Sequence, residues 1–521
     1  MVANLAELLA RAAAERPDQR ALIDAEHGLA LTWAELDHAV DQVGFGLADL
    51  GIRAGQRVLL AMSNRVEFVT AYLGILRVGA IAVPINPQSS PTELQQMAAD
   101  SGARVGLTDE TALPAVREAL RTAPAEWTAL PTVVVVGAPA EAVEVPWADF
   151  TSRSGTTVPP PADPESLAVL LYTSGTSARP RAAMLTHRAL LANVDQVAAI
   201  EPAVFVEGDV SLAVLPLFHV YGLNAVLGQW LRQVITMVLV DRFDPEGTLA
   251  VIQQHRITVL PVAPPVLAHW RSRADLRERL AGVRLLMSGS APLGEDVLAE
   301  FARASGLTVH QGYGLTEAAP VVTSTMGSEH PDPATVGIAL PGVEVQLREE
   351  TGAPVVGGDP GEIVIRGANL FSGYWPDGAD GPDPEGWFGT GDVGYVDDAG
   401  NLVLVDRLRE LVIVSGFNVY PSEIEEVISE VPGVGAVAVI GVPDDITGEA
   451  VHAYVVPVAG QDPEGLAVAV TEHCALRLAR FKQPARVDVV SALPLGITGK
   501  VQKGRLRASA RRFAQPLVEG P

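Results

Sequence analysis

Residues 172–187, Tyr-Thr-Ser-Gly-Thr-Ser-Ala-Arg-Pro-Arg-Ala-Ala-Met-Leu-Thr-His, hold the densest group of side chains suited to gripping an anion. The apolar run at 167–171 just ahead of them reads as a buried strand. Thr173, Ser174, Gly175, Thr176, Ser177 and Ala178 are all small or hydroxylated. Backbone N–H groups there can approach oxygen atoms closely, and the hydroxyls add donors. Arg179 and Arg181 flank Pro180, and the apolar run from Ala183 reads as a helix whose N-terminus faces the negative charge. Strand, small-residue loop, cations and helix together predict a polyphosphate cradle. The G-x-x-x-x-G-K-[ST] spacing of a Walker loop is absent. A plain Ser/Thr/Gly linker would need neither the strand before it nor the arginines after it.

The second candidate is a lysine. Of 37 Lys plus Arg residues only Lys482, Lys500 and Lys503 are lysines, so arginine supplies positive charge almost everywhere else. Lys482 and Lys503 read as chance retentions. Lys500 sits in Leu493-Pro-Leu-Gly-Ile-Thr-Gly-Lys-Val-Gln-Lys, a loop punctuated by Pro and Gly ahead of a helical Gly504-Arg-Leu-Arg-Ala. A compact ammonium on a flexible stem suits a charge delivered by a moving element.

The elements that carry these residues alternate between strand and helix patterns, as in Arg57–Met62 followed by Val69–Arg77. Such alternation predicts an α/β protein of mainly parallel sheets flanked by helices. Residues 156–163, Thr-Thr-Val-Pro-Pro-Pro-Ala-Asp, read as a linker before the phosphate-loop strand. Residues 335–405, rich in Gly, Pro and β-branched runs, predict a small β-rich subdomain. A last α/β piece comes next, with a helix near 421–431 and strands at 436–441 and 450–457.

Composition fits a large multidomain protein. At 521 residues two or three domains are expected, and a 48% hydrophobic content supplies their cores. No window of 18 uninterrupted apolar residues occurs, so no membrane span is expected. Met1–Arg11 reads as an amphipathic helix and not as a signal peptide. The single cysteine, Cys474, precludes an internal disulfide and fits a reducing, cytoplasmic compartment. A net charge of −25 argues against nucleic acid or an anionic membrane as partner. A polyanionic ligand would therefore need a local cationic island.

The segment 172–187 resembles the phosphate loop of the adenylate-forming enzymes, the superfamily of acyl- and aryl-CoA synthetases. Their pattern is close to Y-T-S-G-T-T-G-x-P-K-G-x-x-x-T-H. The first five residues and Thr186-His187 match, while Ser177, Ala178, Arg181 and Ala182 stand where the family has Thr, Gly, Lys and Gly. Losing two glycines narrows the loop's backbone freedom. A guanidinium at 181 can still hold phosphate, bidentately where lysine acts as a point charge. Further family motifs occur in order: Leu215-Pro-Leu-Phe-His-Val-Tyr-Gly-Leu, Ser288-Gly-Ser-Ala-Pro-Leu, His310-Gln-Gly-Tyr-Gly-Leu-Thr-Glu, Trp387-Phe-Gly-Thr-Gly-Asp, Asp406-Arg-Leu-Arg-Glu-Leu, Val414-Ser-Gly-Phe-Asn-Val-Tyr-Pro and the Lys500 loop. The resemblance spans residues 1–515.

By that resemblance the chain is an AMP-forming acyl-CoA synthetase. Residues 1–406 form a large domain binding ATP and an acid, and residues 407–521 a small mobile domain that pivots at Arg409. Thr173–Ala178 and Arg181 would hold the ATP phosphates. Ser290, Ala291, Gln311, Gly312 and Gly314 would surround the adenine, with Tyr313 stacked on it. Thr316 would contact phosphate, and Glu317 with Thr173 would bind Mg²⁺. Asp392 and Arg407 would hold the ribose, and Lys500 would reach the substrate carboxylate and α-phosphate. His219, Tyr221 and Gly289 would line the acyl pocket. Amino-acid-activating relatives carry an Asp near 218–219; Phe218-His219 here implies a fatty or other apolar acid without an amine. Ser415, Gly416 and Phe417 would wall the pantetheine tunnel, with Arg242 near a CoA phosphate. The acyl acceptor would be CoA, or a carrier-protein thiol if the reaction stops at acyl-AMP. A non-catalytic acyl- or nucleotide-binding relative would not need Lys500, Glu317 and Asp392 together.

Overall fold

Apolar runs of four to seven residues in the first two-thirds of the chain become strands of two sheets whose central pairings are parallel. Strands covered on both faces read as continuous apolar segments, as these do. In the computed structural model the described residues are 2–124, 127, 129–130, 132–141, 144–154, 163–173, 181–290, 293, 295–349, 351–355, 359–407, 410, 412–414, 417–444, 448–458, 460, 462–478, 480–496 and 500–514. Side chains are not described at 295–296, 406–407, 413, 417–418, 448, 464, 508–509 and 511–514. Two units emerge: Met1–Glu344 with Ile365–Phe388, and Val345–Val364 with Gly389–Pro521.

In the first unit a seven-stranded sheet runs in the order Glu144–Pro146, Thr132–Val136, Val105–Asp109, Arg57–Ala61, Ile81–Pro84, Leu167–Thr173, Arg181–Thr186. A nine-stranded sheet runs Ile338–Ala339, Val321–Ser324, Val309–Gly314, Leu285–Ser288, Val259–Val262, Val210–Ala213, Thr236–Leu239, Arg20–Asp24, Ala30–Thr32. Helices Trp33–Asp49, Val66–Arg77 and His187–Ala198 bury apolar faces in a common core. Within it the rings of Trp33 and Trp230 stack at 4.9 Å. The first of these helices starts at a reciprocal capping box between Thr32 and Glu35, which satisfies two otherwise orphaned backbone donors. The N-terminal helix expected from the sequence is Glu7–Glu15.

One expectation fails beside the phosphate loop. The run after Arg181 is a strand, Arg181–Thr186, antiparallel to Leu167–Thr173 with Thr173 opposite Arg181. The helix begins only at His187, where the Thr186 side chain accepts from the Ala189 N–H. Six residues pair with the neighbouring strand before the cap is reached, so the described strands on either side of the loop form a hairpin and no helix starts directly after Arg181. The glycine-containing motif from His310 to Glu317 reads in sequence as a turn that ends a strand, but Gln311–Gly314 lies inside the strand Val309–Gly314. Its glycines permit close strand approach: a Cβ on Gly314 would lie 2.3 Å from the Pro320 carbonyl oxygen.

Most of a four-stranded sheet ordered Val343–Arg348, Gly361–Gly367, Phe388–Val396, Leu402–Arg407 belongs to the second unit. That unit also holds a five-stranded sheet built on the long hairpin Val434–Asp444 and Gly448–Pro457. That sheet is mostly antiparallel; only Arg486–Val489 joins it in parallel. Helices Pro421–Ser429, Pro463–Arg477 and Lys503–Ala514 accompany it. No helix among the described residues is long and apolar enough to cross a membrane.

Candidate active site

Both loops that carry the phosphate and metal candidates sit where a parallel sheet turns antiparallel. Thr173 and Arg181 are register partners at the mouth of the first hairpin. Thr316 and Glu317 lie in the short helical turn Thr316–Ala318 between two antiparallel strands of the larger sheet. A hairpin mouth frees backbone groups from the ladder, so they can face a ligand.

Around Glu317 the structure is tightly specified. Its Oε1 accepts a 2.5 Å hydrogen bond from the Tyr374 hydroxyl, and its carbonyl accepts from the Phe371 N–H at 2.9 Å. Three buried asparagines hold the following backbone. Asn369 donates to the Ala318 carbonyl (2.8 Å), Asn224 to the Ala319 carbonyl (2.6 Å), and Asn193 exchanges hydrogen bonds with Val321 (2.8 and 3.1 Å). Amides buried this deeply need partners, and each captures backbone that would otherwise be orphaned. Sequence reasoning missed Tyr374 and the asparagines. The available signal was amide side chains inside apolar runs, as in Leu223-Asn224-Ala-Val.

Arg181 does not project freely. Its guanidinium lies 3.8 Å over the Tyr374 ring centroid and 2.7 Å from an Asp380 carboxylate oxygen. Tyr313 is buried within its strand, and Gln311 donates to the Pro333 carbonyl. Ser290 holds φ 77°, a left-handed conformation rare outside glycine, just after Gly289.

The acyl-pocket candidates converge as expected from their types. Tyr221 begins a π-helical segment, Tyr221–Val226, and a Cβ on Gly289 would lie 3.3 Å from its ring. Burial pushes the Tyr221 phenol pKa up, keeping it neutral. The Tyr221 N–H donates to His219 Nδ1 at 3.3 Å. Arg242 is exposed beyond the strand Thr236–Leu239.

In the second unit Asp392 and Arg407 are cross-strand partners, fifteen positions apart in sequence and opposite in register. The Lys500 loop is closed by two backbone bonds, Gly496 N–H to the Lys500 carbonyl and Gln502 N–H to the Pro494 carbonyl, both 2.7 Å. Lys500 is exposed on it. Lys503, read from sequence as chance, is half-buried between Glu410 and Glu425 at 2.9 Å from each. Burial works to lower its pKa, but the two carboxylates outweigh this and raise it, so Lys503 stays charged. Lys482 likewise pairs with Glu423 at 2.6 Å. Ser174–Ala178, Ala291, Arg409, Ser415 and Gly416 lie outside the described residues, as do the side chains of Arg407 and Phe417.

A family model for AMP-binding enzymes matches residues 9–375, and one for the AMP-binding enzyme C-terminal domain matches residues 423–500. The chain belongs to the AMP-binding enzyme family. This ligase is 34% identical to 4-coumarate–CoA ligase 5 of Oryza sativa subsp. japonica, across 95% of this chain and 92% of that relative. It is 30% identical to a long-chain-fatty-acid–CoA ligase of Bacillus subtilis (strain 168), across 96% and 94%. Its fold matches ATP-bound MatB from Rhodopseudomonas palustris with a TM-score of 0.87 at 32% identity, over 98% and 100% of the two chains. It is an ATP-dependent, acyl-adenylate-forming acid–thiol ligase.

Among the described residues no three His, Cys, Asp or Glu groups cluster as a metal cage. The donors near Thr316 are instead one half-buried carboxylate, Glu317, and hydroxyls. That set fits Mg²⁺ carried in on a nucleotide, which keeps several waters and takes one or two protein carboxylates.

Proposed function

We propose that this ligase activates an apolar monocarboxylic acid lacking an α-amino group and transfers it to CoA. The observation that carries the acid class is the half-buried Tyr221 ring against Gly289, with Phe218-His219 beside it where an amine-binding carboxylate would stand. An aromatic wall rewards apolar contact and offers an ammonium group no partner charge. The names of the relatives, coumarate and long-chain-fatty-acid ligases, support the same class.

The acid's carboxylate oxygen attacks the α-phosphorus of ATP while the bond to pyrophosphate breaks, giving acyl-AMP. The CoA thiolate then attacks the acyl carbon and AMP leaves. Arg181, Thr173 and the loop between them orient the phosphates, and Lys500 stabilises charge as the carboxylate attacks. Tyr313, Gln311, Ser290 and the residues next to them hold the adenine, and Asp392 with Arg407 the ribose. Bound Mg²⁺ would supply further charge neutralisation at Glu317. In such a transfer positioning and preorganised charge carry the rate. Residues 407–521 move as the mobile part, pivoting at Arg409, so that Lys500 serves the first step and the Gly416 segment the second.

The test is pyrophosphate release across aryl-propenoic acids, fatty acids of graded length, short dicarboxylic acids and amino acids, with and without CoA. Aryl or fatty acids should dominate, with CoA consumed in proportion. Preference for amino or dicarboxylic acids, or turnover with no CoA consumed, would overturn the reading.

A further inference from the structure

We propose that Tyr374 is a positioning residue that sets the Glu317 carboxylate and the Arg181 guanidinium at once, coupling metal and phosphate binding. This rests on the functional reading above, which gives Glu317 and Arg181 their ligands, and extends it to a side chain outside the motifs read from the sequence.

The backbone of the segment 371–375 makes two attachments. Ser372 N–H donates to the Met184 carbonyl, Met184 N–H to the Gly373 carbonyl, and Trp375 N–H to the Ala182 carbonyl, at 2.9–3.0 Å. The segment thus extends the smaller sheet beyond the strand that leaves the phosphate loop. At its start, the Phe371 N–H donates to the Glu317 carbonyl, so the same few residues are tied to the turn of the larger sheet. Tyr374 stands where these two attachments meet. Its ring is braced edge-on by Phe371 at 5.0 Å and carries Arg181 on its face, while its hydroxyl donates to Glu317 Oε1.

Each contact restricts a different partner. A charge-assisted hydrogen bond from a fixed phenol sets the rotation of a carboxylate that otherwise turns freely. A cation held over a ring face keeps its planar fork in one orientation. The phenol therefore links the two charges that a Mg·ATP complex would need together.

Tyr374→Phe removes the hydroxyl and keeps the ring. The free Mg²⁺ needed for half-maximal pyrophosphate release should rise about tenfold, as for a lost hydrogen bond to a charged group. The KM for ATP at saturating Mg²⁺ should change less than twofold, and thioester formation from supplied acyl-AMP should not change. Tyr374→Leu should add a rise in the KM for ATP of the size produced by Arg181→Ala. In a Glu317→Gln background Tyr374→Phe should have little further effect. Calorimetric titration of ATP with and without Mg²⁺ gives a readout besides turnover: Tyr374→Phe should lose most of the Mg²⁺-dependent gain in affinity. Wild-type Mg²⁺ dependence in Tyr374→Phe, in either assay and with an unchanged melting temperature, would overturn the proposal. Absence of pyrophosphate release by the wild type with every acid would instead overturn the functional reading, and the calorimetric comparison would still decide the role of Tyr374.

Discussion

Arg181 is engaged by a carboxylate that phosphate must displace under the proposed function, a competition that can be measured. Asp380 lies 2.7 Å from the guanidinium, in a pair whose side chains are 72% and 36% exposed. Pairs this accessible are worth about 0.2–1 kcal/mol. Asp380→Asn removes the charge and keeps the shape, and the left-handed backbone at this position, φ 52°, suits Asn as well as Asp. ATP would then no longer displace a carboxylate. At about 1.4 kcal/mol per decade, its KM should fall about 1.4- to 5-fold. Raising the ionic strength to about 1 M shortens the screening length to about 3 Å, so most of the gain should vanish there. The assay is the ATP dependence of pyrophosphate release at low and high salt, in the wild-type and Arg181→Ala backgrounds. An unchanged or higher KM at low salt, or the same gain without Arg181, would refute the reasoning.

Lys500→Ala should slow pyrophosphate formation on the order of 10²–10³-fold while sparing thioester formation from supplied acyl-AMP. Equal loss of both steps would sink the two-step division of labour. Lys503→Met leaves the partly buried Glu410 and Glu425 without their shared cation and should destabilise its unit by about 2 kcal/mol, as for lost hydrogen bonds between charged groups. Adding Glu410→Gln should recover part of the melting temperature, and no recovery would count against the ion-pair account. His187 is buried with Nδ1 accepting the Leu5 N–H, and burial holds its pKa down at about 4 against an ordinary 6.5. Its stabilising contribution is complete above pH 6.5 and is lost as pH falls towards 4, amounting to about 3 kcal/mol at about 1.4 kcal/mol per pH unit. Melting curves from pH 7.5 to 4 should therefore fall less steeply for His187→Asn than for the wild type, and equal slopes would exclude the assignment.

Much of this ligase was legible in its residues. The alternation of apolar runs dictated parallel sheets flanked by helices, because strands buried on both faces must be apolar throughout. The small-residue loop ahead of Arg181 and the loop around Lys500 stood out by residue type and spacing, and the Thr316-Glu317 pair by its resemblance to a family motif. Periodicity did not settle the conformation of the run that begins at Arg181. Arg-Ala-Ala-Met-Leu-Thr is apolar enough for either a helix or a strand, and hydrogen bonding to Leu167–Thr173 decided for the strand. Lys503 read as a chance retention of lysine until Glu410 and Glu425, about 90 and 80 positions earlier, closed on it. Tyr374, with Glu317 on its hydroxyl and Arg181 on its ring, could not be found from sequence at all. The sequence by itself determined the chemistry of segments whose parts are neighbours along the chain. Contacts between residues far apart were decided only by the tertiary structure, since a phenol, an amide or a lysine carries no mark of its partner until strand register and helix packing bring them together.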